Sequence, residues 1–221
     1  MRAALALMAA LAAQPAKACG LELVLAMDVS RSVVNAEFDL QMGGLADAFR
    51  DPEIMEAIRW MPGGAMVTVT QWSGPSNQAQ MIGWRHLTDE AQSRAFAEEI
   101  DAMPRQFFAA YTAVGEALWH ADKVGQTNPR PCRHRVIDIS GDGASNRGRA
   151  PRGIADGLAA KGITVNGLAI KGAKPDPEAY YTAEVIAGPG AFLEVAAGFE
   201  DYADAIRRKL LREMSPSLVS R

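Results

Sequence analysis

Asp28, Ser30 and Ser32 stand at alternate positions in Asp28-Val29-Ser30-Arg31-Ser32, directly after an apolar run from Leu21 to Met27. One acid and two hydroxyls clustered on a short turn are hard oxygen donors, which suit Mg²⁺, Mn²⁺ or Ca²⁺ rather than zinc. The same residues also fit a plainer use, a strand end followed by a helix with Ser30 or Ser32 as its N-cap. A second acid in a comparable setting is Asp142, in Ser140-Gly141-Asp142-Gly143 after the strand-like stretch 133–140. Other chemistries find less support. The sequence has no G-x-S-x-G elbow and no phosphate loop. Gly141 and Gly143 match two glycines of a dinucleotide fingerprint, but Asn146 replaces the third. His86, His120 and His134 fall in separate elements without metal spacing. An acid ending the first strand, with another near the fourth, also describes Mg²⁺-dependent phosphohydrolases. Those usually carry a second acid two residues on, where this chain has Ser30. The expectation is a binding protein rather than an enzyme, with that hydrolase or a metal-free scaffold as the alternatives.

For these oxygens to meet, the intervening chain must bring two strand ends together. Apolar runs bounded by turn residues recur at 21–27, 65–72, 133–140, 163–170 and 191–195, and 80–87 reads as an antiparallel return at an edge. Between them lie helical patterns. Phe38, Met42, Leu45 and Phe49 recur at three- and four-residue steps, and Asp51-Pro52 and Pro62-Gly63-Gly64 punctuate them. Further helices are predicted from Thr88, as N-cap, to Met103, from near Thr112 to Gly125, over 154–161, 178–186 and 202–214. Strands alternating with helices predict an α/β, doubly wound, Rossmann-like sheet with helices on both faces. Right-handed crossovers make 3-2-1-4-5-6 the simplest order, with strand 3 antiparallel at the edge. Strands 1 and 4 then flank the switch point where such sheets open a crevice, and Asp28 and Asp142 both arrive there.

Asp28-x-Ser30-x-Ser32, Thr112 in Tyr111-Thr112-Ala113-Val114-Gly115, and Asp142 in Ser140-Gly141-Asp142-Gly143 together resemble the metal-ion-dependent adhesion site (MIDAS) of von Willebrand factor type A (VWA) domains. The resemblance runs in the right element order over residues 19–221 and is nearest to exported bacterial members of uncharacterised families. It implies that Ser30, Ser32 and Thr112 bind one divalent cation through their hydroxyls. Asp28 and Asp142 would hold it mainly through waters, leaving one position for a carboxylate from a protein partner. Two positions depart from the family pattern: Tyr111 stands where a glycine precedes the threonine, and Gly141 where a Thr or Ser precedes the final Asp-Gly.

The rest of the sequence bears on compartment and partner. Residues 1–18 read as a signal peptide: Arg2, an uncharged apolar stretch from Ala3 to Ala13, and Ala16-Lys17-Ala18 as an A-x-A cleavage site. That predicts export to the periplasm or beyond. The residues before Cys19 do not follow the lipoprotein pattern, and no run approaches the roughly 20 apolar residues of a membrane span. The two cysteines, Cys19 and Cys132, precede strands 1 and 4. In an oxidising compartment, neighbouring parallel strands would pair them at the sheet end opposite the oxygen cluster. Net charge is −3 for the full chain and −5 without Arg2 and Lys17, which argues against nucleic acid as the main partner. The chain is expected to be a monomer. Arg147, Arg149 and Arg152 after Asp142, with Lys171 and Lys174 after strand 5, are expected to form a basic rim attracting an acidic partner.

Overall fold

The computed structural model describes residues 18–108 and 111–215. The proposed signal peptide, apart from Ala18, lies outside the described residues. The chain alternates strands and helices: β1 (Cys19–Asp28), α1 (Asn35–Arg50), α2 (Pro52–Trp60), β2 (Ala65–Trp72), β3 (Gln78–Leu87), α3 (Glu90–Asp101), α4 (Val114–Gly125), β4 (Cys132–Gly141), α5 (Pro151–Ala159), β5 (Ile163–Ile170), α6 (Pro177–Glu184), β6 (Leu193–Ala196) and α7 (Tyr202–Met214). The strands form one six-stranded sheet, ordered β3-β2-β1-β4-β5-β6. All neighbours are parallel except β2 and β3. This is the expected architecture.

β1 is central and buried along its whole length. Successive strand side chains point to opposite faces, so β1 serves two cores. Leu21, Leu23, Leu25 and Met27 pack on the face covered by α1, α2, α3 and α7, with Phe38, Phe49, Phe96 and Leu210 among their neighbours. Val24 and Ala26 pack on the other face with residues of α4, α5 and α6, including Leu118, Leu158 and Tyr181. α7 lies close against α1 because Gly44 has no side chain: a Cβ there would come within 2.9 Å of the Ala203 backbone.

Several helix starts differ from the sequence reading. The N-cap of α3 is Asp89, whose carboxylate accepts from the Gln92 amide at 2.9 Å. Thr88 instead bonds the Gln92 side chain through its amide and hydroxyl. α5 begins three residues earlier than the apolar pattern suggests, with Pro151 in its first turn, where a missing N–H costs nothing. α4 begins at Val114, which leaves Thr112 in the loop ahead of it.

Cys19 and Cys132 are register partners on β1 and β4. They form a disulfide with Cα atoms 4.4 Å apart, closing a separation of 113 residues at the amino end of the sheet. No helix among the described residues is long and apolar enough to cross a membrane.

Candidate functional site

The site lies at the carboxyl ends of β1 and β4. Asp28 is the last residue of β1, and its Oδ1 accepts from the Ser30 amide at 2.7 Å. An Asp bonding the backbone two residues on makes a tight turn, so the serines that follow are thrown back over the strand end. Neither serine caps α1. Its N-cap position is Val34, whose amide is satisfied by the Glu37 carboxylate at 2.8 Å. The plainer use of the serines is therefore excluded, and their hydroxyls are free for something else.

Those hydroxyls meet groups from distant sequence. The Ser30 and Ser32 Oγ atoms are 3.2 Å apart. Thr112 Oγ1 donates to Ser30 Oγ at 3.4 Å, and Ser32 Oγ donates to Asp142 Oδ1 at 2.8 Å. All five predicted residues, Asp28, Ser30, Ser32, Thr112 and Asp142, thus converge. Thr112 is held by an exchange with the loop after β4: its amide donates to Asn146 Oδ1 at 3.0 Å, and its carbonyl accepts from the Asn146 amide at 2.8 Å. The next amide, of Ala113, bonds the Ser73 carbonyl just past β2.

The electrostatics of the cluster are unbalanced. Asp28 is 0 % exposed, and its Oδ2 has no hydrogen-bond partner among the described residues. Burial, and then the Asp142 charge, push its pKa up to about 8. Burial also raises Asp142, partly offset by the Ser32 hydroxyl. Two carboxylates with three hydroxyls make a concentrated set of oxygen acceptors whose negative charge is poorly compensated. A hard cation beside them would relieve both the repulsion and the orphaned oxygen. Mg²⁺ accepts such oxygens and keeps several waters. Among the described residues no group of three or more His, Cys, Asp or Glu could hold a metal, so a cation here depends on the hydroxyls.

Three further residues shape the site without a readable sequence signal. Arg105 reaches back to the first loop, donating to the Val29 and Ser30 carbonyls at 3.1 and 3.0 Å and to Asn35 Oδ1 at 3.1 Å. Its charge acts against the rise at Asp28. Asn146 is the clamp on Thr112. Tyr181, on α6, is fully buried, and its hydroxyl has no hydrogen-bond partner among the described residues. A Cβ at Gly141 would lie 2.5 Å from that hydroxyl and 2.8 Å from Asp28 Oδ2. The tyrosine thus takes up the space that a Thr or Ser at position 141 would need, which accounts for the glycine.

The five basic residues expected to form a rim are unequally committed, and one of them, Arg152, lies in the first turn of α5. Arg149 pairs with Glu116 at 3.2 Å, Arg152 with Asp156 at 2.5 Å and Lys171 with Glu178 at 2.6 Å. Arg147 lies over the Tyr111 ring, and Lys174 is exposed.

The fold has relatives among known proteins. No curated protein matches the chain. Among solved structures, proximal thread matrix protein 1 from the mussel byssus, with a zinc-occupied MIDAS motif, is similar with a TM-score of 0.64 at 16% identity, covering 89% of this chain and 46% of that one. The pilus adhesin SpaC from Lactobacillus rhamnosus GG gives 0.64 at 13%, covering 90% of this chain and 31% of its own. The VWA domain of SpRpn10 gives 0.60 at 11% and is covered over 96% of its length. The chain therefore spans about half of the mussel protein and a third of the adhesin, and nearly all of an isolated VWA domain. The fold is VWA-like. Residues 18–218 match the family described as "Protein of unknown function (DUF1194)", and the chain belongs to that family.

Proposed function

We propose that this protein is an exported, single-domain (19–221) binding module. It holds one divalent cation at the loops after β1 and β4 and captures an acidic side chain of a partner protein there. The observation that carries this reading is the convergence of the Ser30, Ser32 and Thr112 hydroxyls with Asp142, beside a buried Asp28 whose Oδ2 has no partner among the described residues.

Ser30, Ser32 and Thr112 would hold the ion directly, and Asp28 and Asp142 would accept hydrogen bonds from its waters. The bound cation would supply a Lewis-acidic position for a partner carboxylate. The protein's own contribution is preorganisation. Asp28 fixes the turn through the Ser30 amide, Arg105 holds the Val29 and Ser30 carbonyls, and Asn146 fixes Thr112. Mg²⁺ and Mn²⁺ suit the oxygen set, and the zinc-occupied motif of the mussel protein puts Zn²⁺ among the ions to test. The disulfide supports export to an oxidising compartment.

The test is a thermal melt of chelated protein with and without saturating Mg²⁺, Mn²⁺ or Zn²⁺. A ligand at about 100 times its Kd stabilises by about 2.7 kcal/mol, or roughly 5–10 °C for a domain of this size. The wild type is expected to show that rise, reversed by EDTA, and Asp28→Ala to lose it. No shift with any of the three ions would leave a metal-free scaffold. Mg²⁺-dependent phosphatase turnover abolished in Asp28→Asn would favour a hydrolase instead.

A further inference from the structure

Six large apolar side chains are exposed among the described residues, and three of them leave the loops that carry the site. Val34 follows Ser32 by two residues. Phe108, 65 % exposed, follows the anchoring Arg105 by three. Tyr111, 54 % exposed, immediately precedes Thr112. Two of the three carry an arginine on the ring. The Arg105 guanidinium is 5.4 Å from the Phe108 centroid, and that of Arg147 is 4.8 Å from the Tyr111 centroid.

The two arginines differ in what their donors do. Those of Arg105 are spent on the Val29, Ser30 and Phe107 carbonyls and on Asn35. Among the described residues Arg147 makes hydrogen bonds only through its backbone: its amide donates to the Thr112 carbonyl, and its carbonyl accepts from the Ser145 hydroxyl. Its guanidinium makes no ion pair among the described residues. Glu116, which lies beside the adjoining Gly148, pairs with Arg149 instead. Arg31, between the two metal-loop serines, is also exposed and makes no ion pair among the described residues.

A guanidinium lying on an aromatic face keeps its in-plane N–H fork available, and that fork matches a carboxylate bidentately. An exposed Tyr–Arg pair with no structural task has the composition of an interface hot spot. Because the arginine occupies a face of the ring, the pair is better suited to an acid than to a stacked sugar. Tyr111 and Arg147 are also tied to the hydroxyl cluster by rigid steps, since Tyr111 adjoins Thr112 and the Arg147 amide bonds the Thr112 carbonyl.

We propose that Tyr111 and Arg147 form a second recognition subsite, and that the partner is a protein segment bearing two acidic residues, one for the cation and one for Arg147. This rests on the metal-dependent reading above. An apolar side chain beside the second acid would lie against the Tyr111 ring, and Arg31 would assist encounter. One acid makes capture metal-dependent, and the second makes it selective.

The probe is a panel of fluorescein-labelled peptides with one Asp, or with two Asp separated by zero to three glycines and followed by Leu. Binding is read by anisotropy in saturating Mg²⁺ or Mn²⁺ and again in EDTA. Polygalacturonate serves as an anionic glycan competitor. At one spacing, a two-acid peptide is expected to bind wild type about 10-fold more tightly than the one-acid peptide, the value of one charge-assisted contact. Arg147→Ala should bring that ratio close to one while leaving the metal-induced melting shift unchanged, because among the described residues its side chain makes no hydrogen bond or ion pair and rests only on the Tyr111 ring. Tyr111→Ala should lower the ratio in part. A preserved metal shift with no two-acid preference at any spacing overturns the proposal but not the metal site. So does a preference that survives Arg147→Ala, or polygalacturonate binding more tightly than every peptide. Loss of the metal shift in wild type overturns both readings.

Discussion

Gly141 and Tyr181 show how one side chain can decide what a distant backbone position must be. The tyrosine is wholly buried beside Asp28, and its hydroxyl has no hydrogen-bond partner among the described residues. The nearby Asp28 carboxylate helps to hold the phenol well above its ordinary pKa, after burial itself. Adding a methyl at position 141 forces the ring or Asp28 to move, and overpacking of this kind costs about 1–3 kcal/mol. Gly141→Ala is therefore expected to lower the melting temperature and to blunt the metal-induced shift. Tyr181→Phe removes the atom that the new methyl would strike. In a double-mutant cycle it should recover part of the loss, the Asp28 contact remaining, and additive effects would mean that the two residues do not compete for space.

At the scale of an element, α7 is fastened to the sheet by a buried ionic cluster. Lys209, 0 % exposed, reaches Asp138 on β4 at 2.7 Å and Glu213 one turn on at 2.6 Å. Asn166 on β5 adds a hydrogen bond to Glu213 at 2.7 Å. One ammonium thus faces two carboxylates, and among the described residues Asp138 Oδ2 and Glu213 Oε2 are left without partners. Burial, opposed by Lys209 and reinforced by Glu213, pushes the Asp138 pKa up to about 7. A carboxyl that holds its proton more tightly when folded stabilises the fold most at low pH. Its contribution declines as pH rises from the ordinary value near 3.8 through about 7. Asp138→Asn cannot ionise. Its melting temperature relative to wild type should therefore climb between pH 4 and 7 and then level off. A difference independent of pH would show that Asp138 is ionised throughout.

Across the whole molecule, the two ends of the sheet have different tasks. The amino end is tied by Cys19–Cys132 and the carboxyl end presents the oxygen cluster, with ten-residue β1 spanning the distance. A cross-link over so long a separation stabilises mainly by restricting the unfolded chain, by about 2–5 kcal/mol. Replacing both cysteines with serine should lower the melting temperature while preserving the size of the metal-induced shift. Loss of that shift would mean that strand pairing at one end controls loop geometry at the other.

What was legible in the residues was whatever is local or periodic. β2, β5 and α7 have the predicted bounds because apolar runs, β-branched content and helical spacing are properties of short windows. The sheet order followed from the alternation of elements and the handedness of crossovers. Asp28, Ser30, Ser32 and Asp142 could be named from a short motif and the switch point of the sheet, and Thr112 from the resemblance to the VWA adhesion site. Helix starts were less legible, since Thr88 and Asp89 are both competent caps and only the turn geometry chooses between them. Tertiary structure alone decided that the serines do not cap α1, that Arg105 and Asn146 hold the loops, and that Tyr181 requires the glycine at 141. It also decided which arginines are already neutralised. Those outcomes depend on which side chains from remote segments share a few ångströms of space, and a linear pattern carries no record of that distance.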